Sequence, residues 1–133
     1  MRILVFSQYF YPENFRINTL CQELVRRGHE VTVLTGYPQY PIGRIYDGYG
    51  FDIPYEPTWE GVNIIRVKVH PRGKTPFGML RNCIDYVRRA NEWVILVFKR
   101  LSTISPSELI LCVPKTISTK GNVLLSFSAA SGC

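Results

Sequence analysis

Apolar positions follow two periods along this chain, and the switches between them mark its elements. Ile3-Leu4-Val5-Phe6 is a continuous apolar run, the pattern of a strand buried on both faces. Ser7 to Asn14 is a polar and aromatic loop in which Pro12 bars a continued strand. Ile17, Leu20, Cys21, Leu24 and Val25 then fall at i, i+3, i+4, i+7 and i+8, one stripe of a helix. Asn14 is its expected N-cap. Arg26 and Arg27 suit the negative end of the helix dipole, and Gly28 suits the left-handed position beyond it. Val31 to Thr35 is a β-branched run and a second strand. Strand, helix, glycine turn and strand make a βαβ unit, whose two strands run parallel.

Residues 36–61 break the rhythm with five glycines, four prolines and five tyrosines. Glycine and proline at that density forbid long elements, and a loop of this length is usually functional when it is ordered. Its tyrosines argue for order. Val62 to Val69 reads as a third strand, with Val67 and Val69 on one face and Arg66 and Lys68 on the other. His70 to Lys74 ends it as a basic turn. From Phe77 to about Arg100 a helical stripe contains Leu80, Ile84, Val87, Asn91, Val94 and Phe98, with Cys83 and Ala90 beside it. Trp93 to Phe98 is apolar all round, so it is either well buried or in contact with lipid. In the tail, 107–113 and 122–127 are candidate strands, and Pro114 to Gly121 is too short for a crossover helix, which favours a hairpin or an irregular end.

The chain of 133 residues has room for one domain. Its longest apolar run, six residues, is far below the roughly 20 needed to span a bilayer. The opening apolar core is too short for a secretory leader. Four scattered cysteines have no paired spacing, the usage of a free-thiol cytosolic protein. The net charge of +6 is local: residues 61–100 hold nine basic and two acidic side chains, while 1–60 hold five and seven. A segment of that kind faces an anion, or is the solvated face of an ordinary helix. On a membrane, three cations facing one way would contribute roughly 3 kcal/mol. Arg81, Arg88, Arg89 and Trp93 are the candidates for that surface. Nucleic acid is discounted, because no known nucleic-acid module has this order of elements.

Ligands of an open parallel sheet bind beyond the carboxyl ends of its strands, here Ser7–Arg16, the 36–61 loop and His70–Lys74. Neither Gly-x-Gly-x-x-Gly nor Gly-x-x-x-x-Gly-Lys-Ser/Thr occurs, which counts against a dehydrogenase or a P-loop nucleotidase. Arg16, in the first helical turn, either clamps a phosphate or is a surface arginine paired with Glu13. The loop tyrosines either hold the loop on the sheet or offer stacking platforms. His29 lies at the amino end of a strand and is structural. His70 lies at the carboxyl end but has no neighbouring nucleophile or carboxylate in sequence, and no zinc spacing is present. Asp47, Asp52, Glu56 and Glu60 read as solvated loop charges, with a catalytic carboxylate pair as the alternative.

Three segments, Ile3 to Glu13, Leu24 to Gly36, and Pro38 to Gly43 with Tyr46 to Tyr49, resemble the amino end of family-four glycosyltransferases. The likeness extends over residues 1–100, particularly to bacterial transferases of surface-polysaccharide assembly (O-antigen, capsule or colanic-acid type). It implies an α/β fold, a Rossmann-like parallel sheet with flanking helices, as the incomplete amino-terminal half of a GT-B architecture. Such a domain holds the acceptor, here a polysaccharide or lipid-linked glycan at the inner face of the cytoplasmic membrane. A second domain holds the nucleotide-sugar, so no cofactor is expected on this chain. Acceptor-binding candidates are Tyr11, Asn14, Arg16, Tyr37, Tyr40 and Tyr46; no catalytic residue is assigned. The chain departs from the family where many relatives have paired glycines, since Asn14-Phe15-Arg16 stand there. Residues 101–133, rich in serine and threonine, match none of the family's pattern and read as a truncated or frame-shifted end. As an isolated chain the piece is expected to be inactive. The alternative is a non-catalytic module that docks on a membrane surface or a partner.

Overall fold

A computed structural model describes residues 1–101 and 108–113. The element order is β1 (Arg2–Ser7), α1 (Arg16–Arg26), β2 (Glu30–Thr35), β3 (Thr58–Trp59), β4 (Val62–Arg66), α2 (Pro76–Leu101) and β5 (Glu108–Val113). The strands form one mixed sheet in the order β3-β4-β2-β1-β5. β4, β2, β1 and β5 are mutually parallel, and the two-residue β3 runs antiparallel on the edge. The chain is therefore of α/β class. Among the described residues no helix is long and apolar enough to cross a membrane.

The continuous apolar runs of β1 and β2 have the expected cause, since both faces of the sheet are covered. Ile3, Val5, Val31, Val33, Val62 and Ile64 form one core with Ile17 and Cys21 of α1. Phe6, Leu34, Val67 and Val69 form the second with Tyr86 of α2, and Leu4, Ile65, Ala90 and Trp93 pack against it. Successive strand residues thus serve opposite layers, as a period of two requires. Gly28, at φ +86°, ends α1 where its placement predicted. The N-cap is Phe15, not Asn14, and it makes no side-chain cap bond. A different residue secures that end of the helix: the buried Asn18 side chain donates to the Glu13 carbonyl at 2.7 Å. Beyond β4 the pairing extends by one bond, Val67 N–H to the Thr35 carbonyl at 2.8 Å.

The described part of α2 shows a rotated face. Leu80, Ile84 and Val87, from the stripe expected to be core, are 49%, 57% and 57% exposed. The sheet-facing side presents Asn82, Tyr86, Ala90 and Trp93 instead. The swap costs little because the polar atoms are satisfied. The Tyr86 hydroxyl donates to the Leu34 carbonyl at 2.9 Å, and the Asn82 amide donates to the His70 carbonyl. β5 begins one residue after the expected start and pairs with β1 in parallel. The strand expected at 122–127, the link at 114–121 and the side chains of Val94 and Phe98 lie outside the described residues.

The orientation of α2 is open to direct measurement. Tyr86→Ala removes a buried ring and its hydrogen bond, and should lower the unfolding free energy by about 3–4 kcal/mol. Ile84→Ser should stay within about 0.5 kcal/mol, as exposed substitutions do. Urea unfolding of both variants checks this; a large loss for Ile84→Ser would return the stripe to the core.

Candidate functional site

The parallel strands run with their carboxyl ends toward one edge of the sheet. The loop after β1, the 36–57 segment after β2 and the 67–75 segment after β4 lie there together. Two buried charges bind these segments to one another. Glu13 is 4% exposed, and its Oε1 accepts the backbone N–H groups of Gln39 at 2.8 Å and Tyr40 at 2.6 Å. Arg66, at the end of β4, is 9% exposed and donates to the Tyr11 carbonyl at 2.6 Å and the Gly36 carbonyl at 2.9 Å. Its guanidinium also lies over the rings of Tyr49 and Tyr55, at 5.2 and 5.6 Å from their centroids. Burial pushes the Glu13 carboxyl above the ordinary range, against the opposing pull of its backbone donors and of Arg66. Burial likewise lowers Arg66, against the support of nearby Tyr49 and Glu13.

A second set of buried amides secures the third segment. Gln39 accepts the Arg72 backbone N–H on its side-chain oxygen. Gln8 donates to Asn82 Oδ1 at 2.6 Å, which couples the loop after β1 to α2. Gly43 and Gly73 meet where Gly73 N–H donates to the Gly43 carbonyl at 2.8 Å. Gly43 has φ +84°, and a Cβ there would stand 2.6 Å from the Gly73 oxygen, so no other residue fits without displacement. Burial pushes the Tyr9 phenol up to about 12, while Arg72 pulls it down.

The acceptor candidates are distributed around this framework. Tyr11 stacks on Trp59, centroids 4.7 Å apart. Tyr40 packs on Tyr9 and Phe15, with Arg72 5.4 Å from its centroid. The Tyr46 hydroxyl donates to the Tyr40 carbonyl. Tyr37 is buried, edge-on to Phe51 and Tyr55. Asn14 and Arg16 are exposed beside the loop. Glu13 faces Arg66 and backbone amides, so pairing with Arg16 is not its role. Arg81, Arg88 and Arg89 are exposed on α2, and Trp93 is half-buried against the second core.

One cluster is assembled across two elements by the fold. Asp85 of α2 accepts both the backbone N–H of His70, at 3.3 Å, and its ring Nδ1–H. Arg81 donates to His70 Nε2 at 2.7 Å. These partners fix one tautomer of the ring. The His70 hydrogen bond holds the Asp85 carboxyl below the usual carboxylate range. The available signal was the helical spacing of Arg81, Asp85 and Arg88, which share a face. Comparison with known protein families, with curated proteins and with solved structures finds no match.

The raised Glu13 carboxyl has a definite sign in stability. The folded state holds the Glu13 proton to higher pH than the unfolded chain does. Its contribution is therefore full below the ordinary carboxyl range and is lost as pH rises through the raised folded value. Glu13→Gln removes that dependence, so its stability relative to the parent should rise with pH across this window. Urea midpoints from pH 4 to pH 8 (about one step per unit) check it; a constant difference would overturn it.

Proposed function

We propose that this chain is the acceptor-side, amino-terminal portion of a GT-B glycosyltransferase, with its sheet as the incomplete Rossmann-like core. One observation carries the reading: a tyrosine-rich loop is pinned by buried charge over the carboxyl edge of a parallel sheet. Parallel α/β sheets bind ligands at that edge, and tyrosine offers a sugar ring flat area, a hydroxyl and little entropy loss. The four parallel strands also lie in chain order third-second-first-fourth, which puts a topological switch point between β1 and β5. The resemblance of residues 1–100 to family-four transferases points the same way. Tyr11, Tyr40 and Tyr46 would form the platform, Asn14 and Arg16 its polar rim, and Tyr37 its support. The substrate class is a polysaccharide precursor or lipid-linked glycan at the inner membrane face. The nucleotide-sugar would be held by a donor domain outside these residues.

The test is NMR titration of the chain with a short-prenyl diphosphate-linked monosaccharide and, separately, with nucleotide-sugars. Saturable shifts at Tyr40 and Tyr46 with the lipid-linked sugar, and about tenfold weaker binding in Tyr40→Ala, are the expected results. Binding of nucleotide-sugars alone would overturn the reading.

A second reading, a membrane-surface module, is favoured by the exposed Leu80, Ile84, Val87 and Ile95 on α2. Its electrostatic gain is smaller than the basic count implies. Asp85 and Glu92 interleave with Arg81, Arg88 and Arg89, leaving one net charge and about 1 kcal/mol, or about fivefold in partitioning. Sedimentation with anionic vesicles should show weak, salt-sensitive binding that is abolished in Arg88→Glu/Arg89→Glu. Equal pelleting without vesicles would sink this second reading.

A further inference from the structure

The end of β4 and one face of α2 enclose a cavity of about 270 Å³. Phe51, Lys68, His70, Asp85, Arg88 and Arg89 line it. Three segments distant in sequence meet there. The aromatic loop supplies Phe51, the continuation of β4 supplies Lys68 and His70, and α2 supplies the rest at i, i+3 and i+4. Three permanent cations face one carboxylate, and that carboxylate already accepts two hydrogen bonds from His70. Among the described residues no carboxylate pairs with Lys68, whose ammonium lies 5.7 Å from the Phe51 centroid. Arg88 and Arg89 lean on Glu92 at 3.8 and 3.2 Å, with 78% and 53% of their side chains exposed. Exposed pairs of that kind are worth little and exchange readily for a better anion.

The geometry points to a binding pocket for a small phosphate ester, its phosphoryl group held by Lys68, Arg88 and Arg89 and its organic part against Phe51. A dianion balances the excess of two positive charges over Asp85, whereas a monocarboxylate would leave half of it uncompensated. Two guanidiniums offer the forked donors that match phosphate oxygens, and Lys68 supplies a point charge. His70, oriented by Asp85 and Arg81, is the rigid side wall between the two elements. A cavity of this size admits a small ester and excludes a duplex. The inference does not depend on glycosyl transfer, because none of the acceptor candidates lines this cavity.

The full chain is titrated calorimetrically, at low salt, with inorganic phosphate, pyrophosphate and phenyl phosphate. Saturable one-to-one binding is expected, with phenyl phosphate tighter than inorganic phosphate. Lys68→Gln and Arg88→Gln/Arg89→Gln should each weaken it about tenfold or more. Phe51→Ser should erase the margin of phenyl phosphate over inorganic phosphate. Arg44→Gln, which alters an exposed arginine paired with Asp47, should change nothing. Circular dichroism verifies that each variant is folded. Phosphatidylcholine vesicles with and without phosphatidic acid then compete against phenyl phosphate. Displacement by phosphatidic acid supports the pocket with a lipid headgroup as the source; no displacement supports it with a soluble ester. Absence of saturable binding at millimolar concentration would overturn the pocket. So would equal damage from Arg44→Gln, or binding seen on vesicles alone.

Discussion

Glu13 and Arg66 are opposite charges withdrawn from water at the carboxyl edge of the sheet, and the arrangement of that edge depends on them. Neither is neutralised by a simple ion pair. Glu13 accepts the amides of Gln39 and Tyr40 on one carboxylate oxygen, while Arg66 donates from its two terminal nitrogens to the carbonyls of Tyr11 and Gly36. Each side chain therefore acts as a substitute partner for backbone that leaves regular structure. A loop rich in glycine and proline has many such orphan groups and would otherwise stay wet. Charged partners also make stronger hydrogen bonds than neutral ones, which suits a segment with little ladder of its own. Removing Glu13 would orphan the buried amides of Gln39 and Tyr40, and removing Arg66 the carbonyls of Tyr11 and Gly36, each lost partner costing about 1–3 kcal/mol.

That constraint explains why so many aromatic rings gather in one place. Tyr49 and Tyr55 cover the Arg66 guanidinium, Tyr37 is wedged between Tyr55 and Phe51, and Tyr11 rests on Trp59. The rings exclude water from the charged centre, and the charged centre fixes the backbone that carries the rings. Part of the tyrosine signal is therefore structural. Tyr40 and Tyr46 lie toward Arg72 and the loop surface. A ligand at this edge would meet a preformed surface rather than one it must order, which lowers the entropic cost of binding.

Local pattern was sufficient for most elements. The apolar runs of β1 and β2, the α1 stripe and Gly28 all depend on neighbours within a few residues. The failures share the opposite property. Glu13 and Arg66 look like surface charges until residues 26 and 55 positions away supply their partners. Asp85 and His70 are fifteen residues apart and meet across two elements. The α2 face was misread because hydropathy ranks Leu80, Ile84 and Val87 above Asn82 and Tyr86. It cannot register that carbonyls of Leu34 and His70 wait beneath the helix for donors.

The same long-range pairing changes what the basic segment means. Summed along the chain, residues 61–100 are a strong positive field. In space that charge is divided. Arg66 is consumed in the interior, Arg72 is drawn to Tyr40 and Tyr9, and Arg81 is held on His70. Lys68 beyond β4 and Arg88 and Arg89 on α2 stay exposed around one cavity, with Glu92 tempering the helix. A diffuse field would attract any polyanion, and its reach would be set by screening. A few cations converging on a cavity instead select by distance and geometry. The structure takes Arg66 into its interior and ties Arg72 and Arg81 to rings, and it gathers Lys68, Arg88 and Arg89 beside the edge that the aromatic loop also serves.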